Sequence, residues 1–128
     1  MQAIATKTAP HAIGPYSQAV RSAGFVFLSG QIAIDPGTGK LIEGDVAAEA
    51  ARVMENLGEV LKAAGLTFDH VVKTTIYLID LADFEAVNQV YGKRFQRVLP
   101  ARATVQVSAL PRGARVEIDA IASTPQLP

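Results

Sequence analysis

The sequence predicts an α+β fold, a single domain over residues 1–128 in which two helices pack on one face of a sheet of about six strands. Three observations lead there. Apolar residues recur at helical spacing from Val46 to Ala64 and again from Phe84 to Phe95. Around these two segments lie short runs, either alternating or continuously β-branched, that Gly and Pro punctuate as strands require.

Gln2 to Thr8 suits a short first strand, and Pro10 to Pro15, with two prolines and a glycine, reads as a loop. Ser17 to Val20, a turn at Ser22 to Gly24 and Phe25 to Gln31 form a hairpin whose second strand is apolar enough to be central. Ser29-Gly30 ends that run, and its glycine admits either a closely approaching ligand or a bulge. Asp35 to Gly39 is a turn, from which Lys40 to Ile42 returns. Asp45 is placed to cap the first helix, whose stripe is Val46, Ala50, Val53, Leu57, Val60, Leu61 and Ala64, with Gly65 as its stop. Val71 to Ile79 predicts a strand covered on both faces. Asp80 or Asp83 caps the second helix, with Phe84, Val87, Tyr91 and Phe95 on its buried stripe and its end before Pro100. The tail after Ser123 is expected to fray.

The stretch Pro100 to Ile118 reads as a second hairpin. Ala103, Val105, Val107 and Ala109 alternate with Thr104, Gln106 and Ser108, Pro111-Arg112-Gly113 supplies a turn, and Val116, Ile118 and Ala120 alternate with Glu117 and Asp119. A hairpin register would bring Arg102 and Glu117 to one polar face. Arg102 follows Pro100 and Ala101, where proline restricts the entering backbone, and a guanidinium fixed there suits a planar carboxylate. The plainer alternative is a strand-end arginine ion-paired with Glu117 or Asp119.

Composition narrows the chemistry. Twelve basic and twelve acidic residues cancel, so the overall field gives no reason to expect nucleic acid or an anionic membrane as partner. The absence of cysteine excludes disulfides, thiolate catalysis and cysteine-held metal. His11 and His70 have no neighbouring ligand pattern, so no metal site is expected and both read as surface or packing residues. Lys93, Arg94 and Arg97 suit the end of a helix. There is no phosphate loop, dinucleotide pattern or nucleophile elbow, and no membrane span or signal segment, which leads to the expectation of a soluble cytoplasmic protein. A hydrophobic share of 49% against 19% charged residues is apolar for so small a monomer, and burial in an oligomer would account for it.

Pro100-Ala101-Arg102, the alternating strand after it, Leu110 and Val116-Glu117-Ile118 resemble the signature of the Rid family of reactive-intermediate deaminases, also called YjgF or L-PSP endoribonuclease. Further matches follow in order along nearly the whole chain. They are Ala12-Ile13-Gly14-Pro15-Tyr16-Ser17-Gln18-Ala19, Ser29-Gly30-Gln31, Val72-Lys73-Thr74-Thr75, Asp83-Phe84 and Val87-Asn88.

The resemblance implies a chorismate-mutase-like fold of the bacillary type and a homotrimer with ligand clefts between subunits. It implies cofactor-independent hydrolysis of 2-imino acids, 2-iminobutanoate and 2-iminopropanoate, to 2-keto acids and ammonia. In that reading Arg102 holds the substrate carboxylate and Glu117, kept ionised by the nearby arginine, orients or deprotonates water. The backbone at Thr104 holds the water or the imine nitrogen, and Ser29 and Gly30 touch the ligand at the edge of the cleft. Tyr16 closes the pocket unless it is simply a packed loop tyrosine. Asn88 and Tyr91, one helical turn apart, orient Arg102 or line the cleft, with a capping or interface role as the alternative. Thr104 stands where many family members have cysteine, and Asp119 where many have a second glutamate. Two other functions remain open at this point: a regulatory trimer that binds 2-keto acids without turnover, and RNA cleavage or inhibition of translation.

Overall fold

The computed structural model describes residues 1–125. In chain order its elements are β1 Gln2–Ile4, β2 Ala19–Ser22, β3 Phe25–Gln31, the short β4 Ile34–Asp35 and β5 Lys40–Leu41, α1 Val46–Ala63, β6 Val71–Leu78, α2 Phe84–Gly92, β7 Ala101–Gln106 and β8 Val116–Ser123. The main sheet runs in the order β1-β2-β3-β8-β6-β7, while β4 and β5 pair separately. Both helices lie on one side of it. There Val53, Leu57, Val60 and Leu61 of α1 and Val87 of α2 meet Val26, Ile76, Leu78, Val116 and Ile118 of the strands, all essentially inaccessible. Each such side chain contributes roughly 1.5–3 kcal/mol by leaving water.

Local chemistry sets the boundaries. Asp45 Oδ1 accepts from Ala48 N at 2.9 Å and starts α1. Gly65, at φ 77°, ends it, with Gly65 N donating to Lys62 O and Leu66 N to Leu61 O, each at 2.9 Å. Ala23 and Gly24 both have positive φ, the twisted two-residue turn that joins β2 to β3. Asp80, rather than Asp83, provides the side-chain cap ahead of α2, Oδ1 accepting from Ala82 N. The second helix is shorter than its apolar period suggests. It ends at Gly92, and Phe95 packs on Phe68 and Tyr91 from outside it, while Phe84 stays partly exposed.

The largest departure concerns the C-terminal hairpin, which does not form. β7 lies at the sheet edge parallel to β6, and β8 inserts between β3 and β6, antiparallel to both. The side-chain sets explain why. Val116, Ile118, Ala120 and Ala122 of β8 are all buried and need neighbours on either side, whereas β7 offers Arg102, Thr104 and Gln106 to the helix side and can only be an edge. The linking segment 107–115 passes the end of β6, with Val107 N donating to Leu78 O and Ile79 N to Arg115 O. Ala103 and Val105 therefore face away from the helices, the reverse of the expected core-facing set.

β6 is central but not covered on both faces by its own chain. Val71, Thr74, Ile76 and Leu78 are buried, and the alternate residues are not. The free face of the sheet carries Phe25, Phe27, Tyr77, Val105 and Ile121, with Phe25, Phe27 and Val105 each about 40% exposed. Thr124 is held by two bonds to Gly24 O rather than frayed, and the rest of the expected tail, 126–128, lies outside the described residues. Among the described residues no helix is long and apolar enough to cross a membrane.

Candidate active site

The residues singled out in the sequence gather in two places. The first surrounds Glu117. Between Leu28 and Gln31 the pairing of β3 with β8 breaks register, so Gly30 sits at a bulge, and what approaches it there is a side chain: Glu117 lies directly against it. Ser29 is fixed beside it, N donating to Gln18 O at 3.0 Å and Oγ to Ser17 O at 2.6 Å. Gln18, buried, gathers the preceding loop by accepting from Thr6 N at Oε1 and donating from Nε2 to Pro10 O, each at 2.7 Å.

The result is a cavity of about 460 Å³ whose walls include His11, Ile13, Tyr16, Ser29, Gly30, Gln31, Arg112 and Glu117. Tyr16 is half exposed and lines the cavity, its hydroxyl accepting from Ile13 N of the same loop. Burial, and then the neighbouring charge of Asp119, pushes the Glu117 carboxyl up from its ordinary value. Asp119 itself accepts a 2.9 Å hydrogen bond from Tyr77 Oη, and that bond followed by burial raises the phenol.

The second place surrounds Arg102. Its Nη1 donates to Asn88 Oδ1 at 2.7 Å, and the guanidinium carbon sits 5.4 Å from the ring centre of Phe84 and 5.2 Å from that of Tyr91. Tyr91 is fixed in turn by a 2.7 Å bond between its hydroxyl and Thr74 Oγ1, and burial raises its phenol. Asn88 and Tyr91 thus orient the arginine. Its remaining donors reach a shallow groove with Leu99 and Pro100, and among the described residues it makes no ion pair. Two positions along β7, Thr104 Oγ1 is the one buried side-chain polar atom without a partner among the described residues.

The two places are on opposite faces of the sheet. Arg102 stands opposite Thr74, whose side chain points toward the helices, and Glu117 stands opposite Tyr77, whose side chain points away. The expectation that a hairpin sets Arg102 beside Glu117 is therefore corrected within one chain, and so is the expected influence of Arg102 on the Glu117 carboxyl, which burial and Asp119 push the other way. The alternative ion pair of Arg102 with Glu117 or Asp119 fails for the same reason.

Several residues of these two places escaped the sequence. His11 was read as surface or packing, and Arg112 only as part of a turn. Asp119 was noted as a departure, but its bond to Tyr77 joins positions far apart in the chain and leaves no local pattern. His70 serves the loop before β6, Nδ1 accepting from Thr67 N at 3.0 Å.

One mixed sheet with two helices on a single face, a carboxylate in a small cavity and an oriented arginine on the edge strand, without an ion pair among the described residues, define an α+β domain of a recognisable class. The model for the family described as Endoribonuclease L-PSP matches residues 6–124, and the chain belongs to this family, also known as Rid. It is 63% identical over 123 residues to Protein DfrA of Myxococcus xanthus, covering 94% of both chains. It is 56% identical over 119 residues to the 2-iminobutanoate/2-iminopropanoate deaminase of Mus musculus, covering 93% of this chain and 88% of the relative. Among solved structures, E. coli TdcF with bound serine superposes with a TM-score of 0.93 at 41% identity, covering 98% of this chain and all of the other.

Proposed function

We propose that this protein hydrolyses 2-imino acids, 2-iminobutanoate and 2-iminopropanoate among them, to 2-keto acids and ammonia, in clefts between the subunits of a homotrimer. The observation that carries the reading is the division of the site. Glu117 with Ser29, Gly30 and Tyr16 lies on one face of the sheet, while Arg102 with Asn88, Tyr91 and Thr104 lies on the other and has no carboxylate beside it among the described residues. Packing the apolar free face and the exposed edge of β7 against a neighbouring copy brings one half to the other and covers Phe25, Phe27 and Val105. The deaminase name of the mouse relative and the serine bound to TdcF, an amino acid with the same carboxylate, agree with it.

In such a cleft Arg102 binds the substrate carboxylate with the donors Asn88 leaves free. A backbone group on the unpaired side of β7 near Thr104 holds the imine nitrogen or the water. Glu117 accepts a proton from water as its oxygen bonds to C2 and the C=N π pair moves onto nitrogen. That proton then passes to the nitrogen, the C–N bond breaks, and the hydroxyl proton leaves as the keto group forms. Iminium and water thus give keto acid and ammonium. A raised Glu117 pKa brings the group closer to the working pH, which suits a residue that first takes and then returns a proton.

The test is the decay of 2-iminobutanoate, generated in situ by a threonine dehydratase, with wild type and Arg102→Ala in parallel, together with light scattering for the assembly. Faster decay with wild type alone and a mass of three 13.5 kDa chains support the proposal. Tight binding of 2-ketobutanoate without turnover would replace it with the regulatory reading.

A further inference from the structure

The cavity around Glu117 holds a cation of its own, one that imine hydrolysis of a monocarboxylic substrate leaves unused. Arg112 reaches the cavity wall from the turn before β8, and its backbone is at φ 58°, ψ 21°, a left-handed conformation disfavoured for a residue with a side chain. Its Nη1 donates to Gly39 O at 2.8 Å, which ties the guanidinium to the turn between β4 and β5 at the rim. One of five N–H donors is used there, and the others remain available.

On the proposed reading, the neighbouring subunit's copy of Arg102 binds the carboxylate beside the imine, so each cleft contains two guanidinium groups facing one carboxylate base. Asp119 accepts from Tyr77 and is not among the residues that line the cavity. A substrate with one carboxylate occupies one arginine and leaves the other without an anion.

The geometry points to Arg112 as a specificity-determining residue that receives the side-chain carboxylate of dicarboxylic 2-imino acids, those derived from four- and five-carbon acidic amino acids. The inference rests on the deaminase reading and adds its substrate class. A cavity of about 460 Å³ has room for either length. The bond to Gly39 gives the guanidinium a fixed origin, and the left-handed backbone sets the direction in which the side chain leaves the turn.

The experiment compares kcat/KM for 2-iminosuccinate, made in situ by oxidising aspartate, with kcat/KM for 2-iminobutanoate in the same preparation. The ratio of the two is measured for wild type, Arg112→Gln and Arg112→Lys. The inference expects 2-iminosuccinate to be hydrolysed by wild type, the ratio to fall about tenfold in Arg112→Gln as the side-chain carboxylate loses its charged partner, and Arg112→Lys to retain part of it. Because each ratio comes from one sample, a loss of folded protein cancels. A merely structural tie to Gly39 would lower both rates together, and an unchanged ratio overturns the inference. Hydrolysis of 2-iminobutanoate without 2-iminosuccinate overturns it while leaving the deaminase standing, whereas hydrolysis of neither removes both.

Discussion

Replacing Gly30 with alanine should separate folding from chemistry in this protein. A methyl group built on Gly30 falls 2.5 Å from Glu117 Oε2, 2.8 Å from Cδ and 3.1 Å from Cγ, and it meets nothing else so close. The backbone at Gly30 is not in the left-handed region, so alanine adds no main-chain strain there. The carboxylate must retreat by about 1 Å to reach ordinary contact distance. Because it is the end of a flexible side chain, the displacement costs the fold about 1 kcal/mol in rotamer strain. For a base that must meet a water aligned on C2, the same displacement is worth about a hundredfold in rate, or roughly 2.7 kcal/mol of barrier. The assay is imine decay at saturating and limiting substrate, with thermal unfolding of the same samples. A variant that unfolds within a few degrees of wild type and turns over about one hundredth as fast fits the geometry. Full activity in Gly30→Ala would mean that the position of Glu117 does not govern the reaction.

Arg102→Ala should lose at least about a hundredfold in kcat/KM through its charge-assisted bonds to the substrate, with the mass of the assembly unchanged from wild type; near-normal turnover would refute its role as anchor. Asp119→Asn removes the second cause of the raised Glu117 pKa, so the acid limb of the kcat/KM profile should move to lower pH; an unmoved limb would leave burial as the only cause that matters. Glu117→Gln should be inactive yet more stable than wild type at neutral pH. A folded-state pKa above the unfolded value penalises the charged form as pH rises, so the gain should vanish as pH falls below the unfolded value, and a gain that persisted there would refute it. Arg115→Met strands the buried carboxylate of Glu49, which accepts from both Arg115 N and Nε, and should cost about 3 kcal/mol in urea unfolding; a change under about 1 kcal/mol would show that the pair is dispensable. Inactive Arg102→Ala and Glu117→Gln chains, unfolded and refolded together, should regain roughly a quarter of wild-type activity, since some clefts then receive both native halves. No recovery would refute a cleft shared between subunits.

How much of this was legible in the sequence depended on how local each determinant is. Asp45, the apolar stripe of α1 and Gly65 act within a few turns of one another, and the helix stands where they put it. The hairpin at Ala23-Gly24 is equally local. The pairing of the last two strands is not. Ala103 to Gln106 and Val116 to Ala120 each carry a clear alternation, but the pattern leaves open which strand is the neighbour, and proximity in sequence favoured the wrong one. What decided it was the demand of β8 for cover on both sides, a property of the whole sheet. The motif residues were found by resemblance, and their separation onto two faces of the sheet was not visible because parity alone cannot compare strands whose partners are unknown. Arg112 was hidden behind its turn, where proline and glycine draw attention to the backbone and away from the side chain between them.

The strand at the middle of this sheet is the last to be made. Before residues 116–123, which pair with both β3 and β6, join the sheet, each of those strands presents an open edge. The helices have no finished sheet to cover until residues 116–123 have been made, so the sheet closes on the last of its own strands. Loss of that strand would yield not a smaller domain but a chain with two unsatisfied edges, a substrate for chaperones and proteases.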